Sequence, residues 1–255
     1  IVPMNMAGAG GSKGSLYVKG QKPDGYTILG GHEFLLTTKY GGMVNFGLEA
    51  FEPVCTLTMT PLTIHAGSHV PYNSYKEMIE YAKKNPGKIV ITMSPASLGY
   101  VVWKEVATRA GLDLNKHFKT VVINGVGPQN KALLGAHADL LAGDIPSNLD
   151  YVKDGRMKAF AVCYSKRLPQ LPDMPTTKEL GYDFSVGATR AIFVPKGTPK
   201  KVIDTLAKAY EAACKDPEVI KKIQGMGNEM LYLGPKATGE YFGKQDATFK
   251  ANLTN

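Results

Sequence analysis

Apolar and polar positions along the chain change period several times, and each change predicts an element. Ser74-x-x-Glu77 has the form of a capping box and opens a helix with Met78, Ile79 and Ala82 on one face, stopped by Asn85-Pro86-Gly87. Lys88 to Met93 is a β-branched run that reads as a buried strand. The next helix carries Val102, Trp103, Val106 and Ala110 inward and ends at Gly111. Then follow a strand from Lys119 to Asn124, a helix with Pro128 at its first position and a stop near Gly135, and a strand from Ala138 to Ala142. Ser147 is expected to start a helix stopped by Gly155, and Met157 to Tyr164 reads as a strand.

The flanks follow the same logic. Val2 to Met6 is an extended segment running into a Gly-rich turn, Gly8 to Gly11, and a helix from Ser12 to Gly20. Pro23-Asp24-Gly25 is a turn, and Tyr26 to Leu29 a short strand. Strand, helix, turn and strand make a βαβ unit and predict a parallel sheet. Residues 31–50 are Gly-rich and predict a loop with a short helical turn. Val54 to Met59 and Leu62 to His65 read as strand. After Arg190 to Pro195, Thr198-Pro199 caps a helix with Val202, Leu206, Ala209, Tyr210 and Ala213 inward. Asp216-Pro217 opens another with Val219, Ile220 and Ile223, and the tail from Lys236 reads as a helix burying Tyr241, Phe242 and Phe249.

Strands and helices alternating at this pace predict an α/β fold of two lobes. Residues 1–66 and 190–255 would form one lobe and 67–189 the other. Each would be a mostly parallel sheet flanked by helices, with a cleft between. Hinges are expected near His65 to His69 and Ala188 to Ala191, where the chain changes lobe.

Composition narrows the function. The 255 residues are 44% apolar, enough for a real core, and the net charge of +8 is scattered rather than run together. No basic stripe interleaves with aromatics, which disfavours nucleic acid. Cys55, Cys163 and Cys214 lie among apolar neighbours and read as small buried hydrophobes; no CxxC or CxxH pair marks a zinc site. No stretch is long and apolar enough for a membrane-spanning helix.

Catalytic constellations are missing. Ser97 lies in Ser-x-Gly, not in a nucleophile elbow. Among His32, His65, His69, His117 and His137, only His65 and His69 have metal-like spacing, and they flank a Gly-Ser loop. The Gly-rich turn lacks a Lys-Ser/Thr step, since Gly14 follows Lys13, and Lys13 also occupies the last glycine position of a dinucleotide fingerprint. A close helix–sheet approach explains those glycines as well. No catalytic residue, metal or cofactor is expected.

Binding gives the loops a common purpose. In open α/β sheets ligands sit outside the carboxyl ends of strands, and helix N-termini there favour anions. Four loops qualify: Gly30-Gly31-His32, Ser94 to Gly99, Asn124 to Gln129, and Gly143 to Ser147. Gly31, Gly99, Gly125 and Gly127 would admit a carboxylate to the backbone. His32, Ser94, Ser97, Asn124, Gln129, Asp144 and Ser147 would supply polar contacts. An α/β enzyme using a Gly-rich loop for a phosphorylated or nucleotide ligand is the alternative.

Several collinear motifs carry a family resemblance. Asn5, Gly8 to Gly11, Gly14 and Pro23 to Leu29 match a pattern close to V-x-N-x-P-G-A-G-G-x-x-G followed by A-x-P-D-G-Y-T-L-L-x-G, with Ala7 in place of the usual Pro. Phe51-Glu52-Pro53-Val54, Ala132 to Asp139, Leu171 to Thr176 and Val194 to Pro199 match further motifs in order. The chain thus resembles the substrate-binding receptors of tripartite tricarboxylate transporters, the Bug or TctC-type proteins. The resemblance implies a type II periplasmic-binding-protein fold. It implies a periplasmic receptor, its signal peptide absent from this chain, that grips a small carboxylate (a di- or tricarboxylate, an aromatic acid or an amino acid). The receptor would hand its ligand to a membrane permease, and a monomer is expected. Members of the family begin with a strand and a P-G-G-x-x-D loop upstream of the Asn5 motif, and that unit is not in this chain. The family's Y-G-S-x-G-x-G-S-x-x-H loop is replaced here by Ile91 to Val101, where Met93 and Tyr100 add bulk and point to a more apolar or aromatic acid.

Overall fold

The computed structural model describes residues 2–6, 8–94 and 97–253. In chain order its first elements are α1 (Ser12–Lys19), β1 (Leu29–Gly31), α2 (Phe34–Tyr40), β2 (Phe51–Gly67), α3 (Tyr75–Lys84), β3 (Ile89–Met93), α4 (Leu98–Arg109), α5 (Leu114–His117) and β4 (Phe118–Val122). Then come α6 (Val126–Leu134), β5 (Leu140–Asp144), α7 (Ile145–Lys153), β6 (Met157–Val162), β7 (Gly187–Pro195), α8 (Lys200–Lys215), α9 (Pro217–Gly225), β8 (Glu229–Leu233) and α10 (Pro235–Leu253). Contacts divide the chain into two units, Ile1–Met59 with Ala188–Asn255, and Thr60–Gly187.

In the first unit the strands lie in the order β1, β7, β2, β8, and both β1–β7 and β2–β8 are antiparallel. This corrects the parallel sheet expected from the opening βαβ pattern. Residues 2–6 form no strand, so β1 takes the returning β7 as its neighbour, with Gly31 opposite Ala191. The Gly-rich turn instead serves close packing. Gly11 has φ 97° at the N-cap of α1, and a Cβ there would lie 2.8 Å from the Phe34 ring. Val54, Cys55, Ile192, Val194 and Ala207 form one core cluster, covered by Ile203, Leu206 and Tyr210 of α8. Phe193 packs edge-on against Phe242 of α10, with ring centroids 5.3 Å apart. The short helical turn expected within residues 31–50 is α2, with Leu35 and Leu36 fully buried.

In the second unit the strand order is β6, β2, β5, β3, β4. β5, β3 and β4 pair in parallel, and β2 runs against both β5 and β6. β6, β5, β3 and β4 therefore share one direction, and their carboxyl ends share one edge. Ser74 caps α3 as expected, its Oγ accepting from Glu77 N (3.2 Å), while the Glu77 carboxylate reaches one residue beyond the N-cap and accepts from Asn73 N (2.8 Å). Trp103 is fully buried and packs on Phe118, with ring centroids 6.2 Å apart. Burial of a side chain of this size stabilises by roughly 2–3 kcal/mol.

β2 departs from the two strands expected. It is a single strand of 17 residues that belongs to both units. Pro61 lies between its register with β8 (Thr56 to Met59) and its register with β5 (Leu62 to Ala66), so the missing N–H falls where the partner changes.

Candidate functional site

The parallel registers of the second unit bring three helix starts to one sheet edge. Met93 stands opposite Val122, and Thr92 opposite Leu141, so β3, β4 and β5 end side by side. α4, α6 and α7 begin at those ends. Each start is built differently. Ser97 caps α4, with Oγ accepting from Tyr100 N (3.3 Å). Asp144 caps α7, with Oδ1 accepting from Ser147 N (2.9 Å); the helix therefore starts before Ser147, which sequence reasoning had placed at its head. Gly125 is the N-cap of α6 at φ 90°, a conformation that favours glycine, and no side chain caps this helix. Pro128 is its third residue rather than its first. The backbone N–H groups of Val126 and Gly127 at this start carry partial positive charge. They lie on an exposed turn, next to the exposed side chain of Asn124.

Several expected ligands are engaged in building the loops. Ser94 Oγ donates to the Ile123 carbonyl (3.1 Å), and Ser97 Oγ donates to the Ser94 carbonyl (2.7 Å). The buried amide of Gln129 donates to the Ile123 carbonyl (2.7 Å) and to Ser94 Oγ (3.3 Å). Asn130 donates to the Ser147 carbonyl (3.2 Å), tying α6 to the first turn of α7. A Cβ on Gly99 would make only ordinary contact with the Ala142 carbonyl at 3.5 Å, and one on Gly127 would meet nothing within 4 Å. Pro95 and Ala96, in the middle of the Ser94 to Gly99 loop, lie outside the described residues. What this edge can offer an anion is thus the uncapped α6 start and Asn124, on a frame held by Ser94, Ser97, Gln129 and Asp144. The exposed Val122 and Val126 give the same turn an apolar flank.

The first unit places Gly31 and His32 together at the end of β1. His32 Nδ1 accepts from Phe34 N (3.3 Å), which leaves the hydrogen of the neutral ring on Nε2. Burial, aided by the Arg190 charge, pulls His32 down to about 4, so at neutral pH it is an uncharged N–H donor. Sequence reasoning passed over its neighbour. Glu33 is 1% exposed, and its Oε2 accepts from Thr189 N (2.8 Å) while lying 3.8 Å from His32 Nδ1. Glu33 Oε1 is buried with no hydrogen-bond partner among the described residues. Burial pushes Glu33 up to about 7, against the pull of the Thr189 donors, its own backbone N–H and Arg190. The only sequence signal was an acid set directly before the apolar run Phe34-Leu35-Leu36.

The remaining histidine spacing comes to nothing. His65 is fully buried on β2, its Nε2 against Thr63 Oγ1, and burial holds it down to about 3. His69 Nε2 instead meets Asp139 Oδ1 (3.0 Å). No group of His, Cys, Asp and Glu among the described residues could hold a metal ion. A cavity of about 360 Å³ in the first unit, floored by Phe51, Phe193 and Phe242, contains none of the expected site residues. Its rim acids are already engaged: Glu49 with Lys39, Glu52 with Lys196, and Asp246 with the Tyr40 hydroxyl.

Comparison with known proteins identifies this architecture. The profile of the family described as "Tripartite tricarboxylate transporter family receptor" matches residues 1–250. A UPF0065 protein from the TAR-I ttuE-ttuC' intergenic region of Agrobacterium vitis is 31% identical over 231 residues, 89% of this chain and 66% of its own. The chain thus spans about two thirds of that relative's length. The structure of the periplasmic binding protein BugD is similar at 32% identity and a TM-score of 0.77, over 96% of this chain and 82% of that one. The fold is shared with MatC from Rhodopseudomonas palustris, solved with bound malate, at a TM-score of 0.80 and 24% identity, covering 98% of this chain and 86% of MatC. The chain belongs to the tripartite tricarboxylate transporter receptor family and has the two-lobed α/β fold of its periplasmic binding proteins.

Proposed function

We propose that this chain is a periplasmic receptor that binds a small carboxylate, turns nothing over, and presents the bound acid to a transporter permease as a monomer. The observation that carries the reading is the meeting of three helix starts at one edge of the second unit's sheet. One of them, at Gly125 to Gly127, is uncapped and exposed. Backbone N–H groups at a helix start favour an anion without needing a basic side chain. Asn124 adds a side-chain amide, and the neutral His32 Nε2–H is a donor of the same kind in the first unit. Exposed Val122 and Val126 favour an acid with an apolar or aromatic body. BugD and MatC, the one a periplasmic binding protein and the other solved with malate, support the same class of ligand and compartment.

Thermal unfolding in the presence of malate, adipate, benzoate and ATP tests this. A ligand bound only to the folded chain stabilises it, by about 2.7 kcal/mol at one hundred times its Kd. A raised midpoint with one or more of the carboxylates and none with ATP is expected. Stabilisation by ATP alone would replace the receptor reading with a nucleotide-dependent one.

A further inference from the structure

Away from the α6 edge, the first unit holds a buried acid, Glu33. It is a carboxyl group sealed in the first unit, one oxygen bonded and the other not. Oε2 takes the Thr189 N–H at 2.8 Å, so the proton of the neutral acid belongs on Oε1, which is buried and has no partner among the described residues. Leaving a buried carboxylate oxygen without a donor is costly, and a proton there removes the charge at a smaller cost. We propose that Glu33 is a proton-binding site coupled to ligand capture, so that an acid anion held by the neighbouring His32 is bound together with a proton.

The coupling follows from the geometry of one turn. His32 and Glu33 are adjacent, and His32 Nδ1 lies 3.8 Å from Glu33 Oε2. An anion accepting from His32 Nε2 would sit one ring-width further out. A negative charge at that distance from a buried carboxyl group raises its proton affinity by about tenfold. Among the described residues, the titratable groups that face Glu33 are His32 in its own turn, Arg190 on β7, and Tyr241 on α10, the last reached through Thr189 Oγ1 at 2.7 Å. His32 is neutral above about pH 4, and arginine stays charged throughout the range of interest. Glu33, pushed by burial to about 7, is the member that titrates near neutrality. This deepens the proposed receptor function and rests on it, since it needs an anion at His32.

Calorimetric titration of the full chain with malate, and with adipate as a second probe, decides the matter. Measurements at pH 7 in two buffers of unlike ionisation enthalpy count the protons taken up; those at pH 6 and pH 8 give the affinity change. Wild type is expected to take up part of a proton and to bind about fivefold more weakly at pH 8 than at pH 6. E33Q, which keeps an acceptor for Thr189 N, is expected to take up none and to lose the pH dependence. Binding without proton uptake in wild type, or equal uptake in E33Q, overturns the proposal while leaving the receptor reading intact. Failure of both probes to bind either protein at any pH removes the receptor reading and the coupling with it. A carbon-13 titration of the glutamate carboxyl groups in ligand-free protein reads the proton site directly: a Glu33 midpoint near neutrality supports it, and one in the ordinary carboxylate range overturns it.

Discussion

Gln129 on α6 donates to the hydroxyl of Ser94 across the gap between two strand ends, 3.3 Å from Nε2 to Oγ. The same amide nitrogen lies 2.7 Å from the Ile123 carbonyl, and Ser94 Oγ donates to that carbonyl as well. One buried side chain thus fixes the β3–α4 loop to the β4–α6 loop. Gln129→Leu keeps the bulk and removes the bonds, leaving a buried carbonyl with one donor fewer. We expect a loss of about 1–2 kcal/mol in urea unfolding. Carboxylate affinity should fall with it, because the α6 start is no longer held in place. An unchanged unfolding midpoint would show that Gln129 is not the tie described.

Ser97 and Asn124 separate by their roles. Ser97 caps α4, so Ser97→Ala should cost about 1 kcal/mol of stability. Asn124 is exposed at the uncapped start of α6, so Asn124→Ala should leave the melting temperature within a degree or so while weakening carboxylate binding several-fold. Equal affinities of Asn124→Ala and wild type in calorimetry would remove this turn from the site.

Glu33 makes stability fall as pH rises. Its value is about 7 in the folded protein against an ordinary 4.5, so between those limits the folded state holds more of the proton than the unfolded one. The favourable contribution of the neutral acid is complete below about pH 4 and is lost as pH rises through 7. Glu33→Gln should therefore be more stable than wild type at pH 8, by roughly 3 kcal/mol at most, with the difference vanishing near pH 4. Denaturant midpoints of the two proteins across this range check the sign, and a gap that widens toward acid would contradict it.

Gly143 is needed for space. A Cβ there would lie 2.6 Å from Asn148 Nδ2 and 2.8 Å from a methyl of Leu141. Asn148 is fully buried and donates to the Asp144 carbonyl (2.9 Å), bracing the start of α7. Gly143→Ala should displace that amide and cost about 1–3 kcal/mol, read by thermal or denaturant unfolding.

Local signals were sufficient for much of the chain. The Ser74–Glu77 box, the Asp216-Pro217 start and the inward face of Val102, Trp103 and Val106 are short-range events. A cap and its N–H lie within a few residues, and a helical face repeats every three or four. The order of strands and helices in the second unit was legible for that reason, and so were the loops that its parallel strands bring to one edge.

What depended on partners distant in the chain was not legible. Residues 2–6 have a strand-like composition and form no strand with the described residues, while β2 runs straight through Pro61 because its neighbours change there. Ser94 and Gln129 looked like ligands, yet their polar atoms are turned on each other and on Ile123, across 35 residues of chain. Glu33 falls within residues 31–50, the stretch read as a loop, and only the return of β7, bringing Thr189 N from 156 residues away, buries it. The sequence by itself determined where helices and strands begin and which turns could face an anion, since capping and periodicity act over a few residues. Tertiary structure alone decided which of those polar groups remain available and which acid is sealed from water, because desolvation is set by whatever packs against a group and not by its neighbours in the chain.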